Sequence, residues 1–167
     1  MLRFLLLSLV AVVASDNVTK TLPCSYPSCP SGWTFFPSTF SCYKTFFNAK
    51  WHVAEAVCVS QGGHLTSIHS YQENEFVNGL AGTGLDQKDY ESLTWIGLQL
   101  VDKEWKWTDG TNVDYFNWAP GQPDHPDSEF CGNTTPDVFR SSWYDSWNDL
   151  TCNFELRSYV CKVASFG

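Results

Sequence analysis

The rhythm of apolar and polar positions changes several times along the chain. It opens on an apolar run from Phe4 to Val13, followed over residues 16–28 by polar and Pro-containing sequence with no apolar period. From Cys29 aromatics cluster: Trp33, Phe35 and Phe36, then Phe40-Ser41-Cys42-Tyr43 beyond Pro37-Ser38. That arrangement predicts a small β unit around a turn. Asn48 precedes Trp51, Ala54, Val57 and Cys58, spaced three and four apart. A helix capped by Asn48 is therefore expected to about Gln61, ended by Gly62-Gly63. A second helix has a stronger start. Ser70 and Glu73 make a capping box, and Phe76, Val77 and Leu80 supply the apolar stripe behind it.

After a Gly-rich stretch at 79–84 the helical spacing stops. Leu93 to Leu98 reads as a buried strand, and Glu104-Trp105-Lys106-Trp107 alternates as a half-exposed one. Asp109-Gly110 supplies a tight turn. Residues 117–130, rich in Pro, Asp and Gly, predict an irregular loop, and Tyr159, Cys161 and Val163 share one side of a last strand. Helices followed by strands, with a long polar loop among the strands, make an α+β domain.

The ends of the pattern bear on compartment. Arg3 precedes the apolar run and Ala14-Ser15 follow it, then Asp16-Asn17. This order predicts a secretory signal over residues 1–15. The run is shorter than the roughly 20 residues that span a bilayer as a helix, so no membrane span is expected and the protein should be secreted and extracellular. The remaining 150 or so residues suit one domain. The whole chain, 43% hydrophobic and 16% aromatic with eight Trp, has the side chains to build a core. The net charge of −8 argues against nucleic acid or an anionic membrane as partner.

Seven cysteines, none in a Cys-x-x-Cys pair, disfavour a zinc ribbon or a redox site and predict a disulfide framework. Spacing does not choose the pairing, and one cysteine must be free or joined to another chain. Asn17 and Asn133 begin glycosylation sequons. His52, His64 and His69 read as packing or solvent-facing side chains. No nucleophile elbow or Ser/His/Asp order is present, so an enzyme is not expected.

The loop and the sequence after it carry the candidate chemistry. Gln122, Asp124, Glu129, Asn148 and Asp149 offer three carboxylates and two amide carbonyls. Hard oxygen donors of mixed charge suit calcium, which takes about six to eight of them. No His or Cys is counted among the five to favour zinc. Asp127 alone reads as an ordinary loop acid.

Trp95-Ile96-Gly97-Leu98, Trp105-Lys106-Trp107-Thr108-Asp109-Gly110, Gln122-Pro123-Asp124, Trp147-Asn148-Asp149 and two late cysteines, in that order, resemble a C-type lectin domain. The likeness covers residues 29–163, leaving a lead over 16–28 and a tail over 164–167. It implies the C-type lectin fold: two helices, small antiparallel sheets and a long calcium-binding loop region, stapled by disulfides. It implies the pairs Cys29–Cys42, Cys58–Cys161 and Cys131–Cys152, which leave Cys24 able to link two chains as a dimer. It implies one calcium ion, because Leu100 and Phe130 stand where a second site would need acids. Pro123 is expected to be cis.

In this family two neighbouring sugar hydroxyls complete the calcium shell, and the Gln-Pro-Asp version resembles galactose-type sites. The partners implied are glycans with terminal galactose-like sugars, bound at Gln122, Asp124, Glu129, Asn148 and Asp149 with His125 beside them. His125-Pro126-Asp127 occupies the stretch where galactose-type members carry a stacking Trp, and Trp143 or Tyr144 is the candidate substitute. The alternative is a lectin-like domain that binds a protein or other non-sugar surface, with calcium only structural.

Overall fold

The computed structural model describes residues 27–85, 89–137 and 143–166. The expected signal, Asn17, Cys24 and nearly all of the lead lie outside the described residues. The chain runs through β1 (Thr34–Phe36), β2 (Ser41–Lys50), α1 (Trp51–Ser60), β3 (His64–Leu65) and α2 (Tyr71–Ala81). A 3₁₀ turn at Tyr90–Ser92 leads into β4 (Thr94–Val101), β5 (Glu104–Trp107), β6 (Cys131–Thr134), β7 (Trp147–Leu150) and β8 (Glu155–Ala164). The protein is an α+β domain. Its sheet runs in the order β1-β2-β8-β4-β6-β7, with β3 on β8 and β5 on β4.

The predicted elements form, with instructive differences at their edges. Asn48 does not cap α1: it lies inside β2 at φ 56°, and the cap position falls to Lys50, which makes no side-chain cap bond. Long pairing of β2 with β8, from Ser41–Ala164 to Lys50–Glu155, carries the strand through the expected cap. Helix α1 buries Trp51, Ala54 and Cys58 as its spacing predicts. The Ser70 side chain accepts from the Glu73 N–H, as in a capping box. The Glu73 carboxylate, however, accepts from His69 N–H and is completely buried. It also meets the Tyr43 hydroxyl and the Lys162 ammonium, each at 2.7 Å. Burial and the charge of Glu73 push the Tyr43 hydroxyl far above its ordinary range.

Three disulfides tie the framework: Cys29–Cys42, Cys58–Cys161 and Cys131–Cys152. The second joins α1 to β8 across 103 residues and the third closes 21. Loop-closure entropy makes such links worth about 4.7 and 3 kcal/mol respectively. Ser28 and Phe166 form an isolated antiparallel bridge, exchanging backbone hydrogen bonds at 2.8 and 2.9 Å. Two apolar clusters fill the interior, one around Trp51, Leu65, Trp95 and Leu156, the other around Ile68, Val77, Ile96 and Trp147. Gly97 sits where β4 crosses β3: a Cβ there would lie 2.5 Å from the Leu65 carbonyl oxygen.

Asn133 is 0% exposed within β6. A glycan has no room there in the folded domain, so the expectation of glycosylation at this sequon is corrected. The Asn-x-Thr spacing is blind to strand burial.

Candidate functional site

Strand β7 holds two of the five candidate oxygens. Trp147 anchors it, buried completely, with its indole N–H donating to Asn74 Oδ1 on α2 at 2.7 Å. Opposite, β6 pairs Gly132 with Asp149 and Asn133 with Asn148. The loop before β6 is laid along β7 by backbone bonds: Trp147 N–H to Asn117 O at 2.7 Å and Ala119 N–H to Trp147 O at 2.8 Å. Asn74 and Asn117 both donate to the Asp145 carbonyl, at 2.7 and 2.6 Å, tying the loop to α2 as well. The turn that follows closes through Gln122 N–H to Ala119 O and Glu129 N–H to His125 O, both 2.9 Å. The Gln122–Pro123 bond is cis.

This scaffold brings the five residues to one place. Gln122, Asp124, Glu129 and Asn148 line a cavity of about 180 Å³ together with His125, and Asp149 reaches it from β7. The Gln122 amide end lies 2.6 Å from Asp149 Oδ1, 3.0 Å from Asp124 Oδ1 and 3.2 Å from Asn148 Oδ1. With its carbonyl oxygen turned inward the amide meets only acceptors, whereas the turned amide donates to all three. The Asn148 amide nitrogen is occupied by the Asp149 carbonyl at 2.7 Å, so its side-chain oxygen is left facing the cluster. Asp149 Oδ2 is buried with no hydrogen-bond partner. A buried carboxylate oxygen without a donor is costly, and a hard cation removes the cost.

Electrostatics agree with geometry. Burial, then the charge of Asp149, holds the Glu129 carboxyl above its ordinary range. Burial also raises Asp149, with the Asp124 charge adding to it and backbone N–H groups opposing it. His125, which the sequence reading placed beside the five oxygen donors, sits against two of them. Its Nδ1 lies 2.7 Å from Asp124 Oδ1 and 3.5 Å from Glu129 Oε2, and the bond to Asp124 raises its pKa. Asp124, His125 and Glu129 each place one ligand atom within 4.8 Å of the others. The order Asp-His along the chain hid this, because only the 125–129 turn folds the ring back.

Trp143 and Tyr144 do not line the cavity. Trp143 is buried, and Tyr144 stands beside another depression with Glu75 and Asp145. The aromatic rings at the site are instead Tyr90 and Phe154, the latter 38% exposed. Neither belongs to a motif, and only the approach of the 3₁₀ turn and the β7–β8 turn to the loop reveals them. Leu100 and Phe130 are joined by a backbone hydrogen bond, Leu100 N–H to Phe130 O at 2.8 Å. A hydroxyl–imidazole–carboxylate row exists elsewhere, with His69 between Thr111 and Asp114. The Thr111 hydroxyl also lies 2.6 Å from Asp109, and the row latches the 109–114 loop to the segment before α2.

The family model of the lectin C-type domain matches residues 48–163. The chain belongs to the C-type lectin domain family. Bovine (Bos taurus) versican core protein is 40% identical over 136 residues, covering 78% of this chain and 4% of versican. The chain thus spans a small fraction of that relative's length. The type-2 ice-structuring protein of Brachyopsis segaliensis is 35% identical over 139 residues, 81% of this chain and 73% of the relative. Among solved structures, the cow carbohydrate-recognition domain of CD23, crystallised with a GlcNAc2Man3 oligosaccharide, superposes with a TM-score of 0.71 at 31% identity. That match covers 85% of this chain and 100% of the cow domain. C-type lectin domains are recognition modules and not catalysts, and this domain is one of them. Its disulfide-bonded domain belongs to the extracellular environment. Among the described residues no helix is long and apolar enough to cross a membrane.

Proposed function

We propose that this C-type lectin domain binds sugars of the galactose type through one calcium ion held by Gln122, Asp124, Glu129, Asn148 and Asp149. The observation that carries the reading is the crowding of Asp149, Asp124 and Asn148 oxygens within 2.6–3.2 Å of the Gln122 amide, with Asp149 Oδ2 buried and unpaired. Calcium bound there would supply a +2 charge and open positions for two neighbouring sugar hydroxyls. The chain's own groups complete the recognition. The Gln122 amide N–H offers a donor to a hydroxyl oxygen, and Asp124 and Glu129 accept the hydroxyl protons. Phe154 or Tyr90 offers the apolar ring that a galactose C–H face requires. His125 Nδ1 lies between the Asp124 and Glu129 carboxylates, at 2.7 and 3.5 Å.

A second reading has support from one relative. The likeness to the ice-structuring protein, over 73% of its length, favours a non-sugar ligand on the same fold. Glycan-array binding with calcium and with chelator separates the two: calcium-dependent retention on terminal galactose supports the first, and no retention in either condition leaves the second.

A further inference from the structure

Consecutive residues of the 122–129 loop divide between two cavities. Gln122, Asp124, His125 and Glu129 line the first, described above. Pro123, Pro126 and Asp127 line the second, with Leu100, Lys103 and Trp105. The loop thus contributes neighbouring residues to both linings. The second cavity holds about 380 Å³, within the roughly 300–1,000 Å³ of small-molecule sites.

Its lining has a definite chemistry. Trp105 is half-buried, and its ring packs on Trp118 with centroids 4.9 Å apart, while Trp118 packs on Trp147 at 6.0 Å. The indole is therefore braced from behind and open in front. Leu100 and two prolines extend this stiff apolar surface, which loses little entropy on binding. Lys103 and Asp127, both exposed, bring one donor group and one acceptor group to the rim. An aromatic floor with a polar rim suits a sugar ring, whose C–H face stacks while its hydroxyls reach the edge. The cavity adjoins the ion site through bonded residues, since Pro123 lies between Gln122 and Asp124 and Pro126 follows His125.

We propose that this cavity holds the second ring of an oligosaccharide whose first ring sits at the Gln122–Asp149 oxygen cluster. The inference rests on the sugar-binding reading of that cluster. It gives Trp105 and Asp127, a strand residue and an ordinary loop acid by sequence, a part in choosing among glycans that share one terminal sugar.

Calorimetric titration of the calcium-loaded protein tests it with methyl β-galactoside, phenyl β-galactoside and methyl β-lactoside. The ring-bearing ligands should bind about threefold to tenfold more tightly than the methyl glycoside, and Trp105→Ala should lose that gain. Because this variant could fold poorly, NMR of the wild type is the companion measurement: the Trp105 indole N–H signal should shift with the ring-bearing ligands and not with the methyl glycoside. The series is repeated with mannosides, so that a failure of the galactose assignment alone leaves the cavity testable. Equal affinities within both series, a gain that survives in Trp105→Ala, or an unmoved indole signal overturns the inference. If no glycoside binds, the sugar reading of the ion site falls and this inference falls with it.

Discussion

The framework beneath and the loop face above are held together by different forces. The framework joins β2, β8, α1 and α2 through two apolar clusters, the Cys58–Cys161 bond and a buried Glu73–Lys162 pair at 2.7 Å. Its charges are balanced within the chain. On the loop face, Asp124, Glu129 and Asp149 converge beside one exposed histidine, and no lysine or arginine among the described residues lines the cavity there. The framework pairs its buried carboxylate with an ammonium, while the loop face keeps Asp149 Oδ2 buried without a hydrogen-bond partner. Binding sites are drawn from the less self-sufficient parts of a fold for this reason.

Removing the framework's cross-link should give the largest effect. Replacing Cys58 and Cys161 together with Ala should cost about 4–5 kcal/mol in urea unfolding. Glu73→Ala should come close, at about 3–5 kcal/mol, since it strands the Lys162 ammonium in the interior. A loss near that of an ordinary surface substitution would show that the buried pair adds nothing to the framework.

The loop face should respond to calcium instead. A calcium concentration 100 times its Kd should stabilise the wild type by about 2.7 kcal/mol over chelator. Asp149→Ala and Glu129→Ala should remove that increment and leave the chelated protein folded; calorimetry with equal calcium shifts in all three proteins would reject the site. Gln122→Glu with Asp124→Asn should move sugar preference from galactose to mannose while calcium affinity changes little. A wild type that already prefers mannose on a glycan array would break the assignment.

The smallest effect is in pH dependence. Without metal, the folded protein holds protons on Glu129 and Asp149 above the ordinary carboxylate range of about 4. The unfolded chain releases them earlier, so these two groups lower stability as pH rises from about 4 through their raised pKa values. Calcium cancels the repulsion, so its thermal shift should grow as pH rises toward 7 and vanish near pH 4. Scanning calorimetry with and without chelator across that range reads the trend, and a pH-independent shift would contradict it.

Much of this was legible along the chain. The helices, the Trp95–Leu98 strand, the irregular 117–130 loop and the family resemblance follow from local period and motif, which a sequence displays directly. The resemblance also implied all three described disulfides and the convergence of Gln122 with Asn148 and Asp149. What failed was whatever depends on approach in space. Asn48 satisfies the chemistry of a cap yet is drawn into β2 by the distant β8 strand. Asn133 satisfies a sequon yet is buried, because β6 runs between β4 and β7.

Sequence by itself determined the kind of domain and the stock of oxygen ligands, since side-chain chemistry and short-range spacing are properties of the chain. Tertiary structure alone decided that His125 turns back onto the acids, that Phe154 and Tyr90 flank them, and that Trp105 faces the far side of the same loop. These are contacts between segments separated by tens of residues or folded by a turn. Their geometry is set by how β7, the braced tryptophans and the long loop pack, and no linear period encodes it.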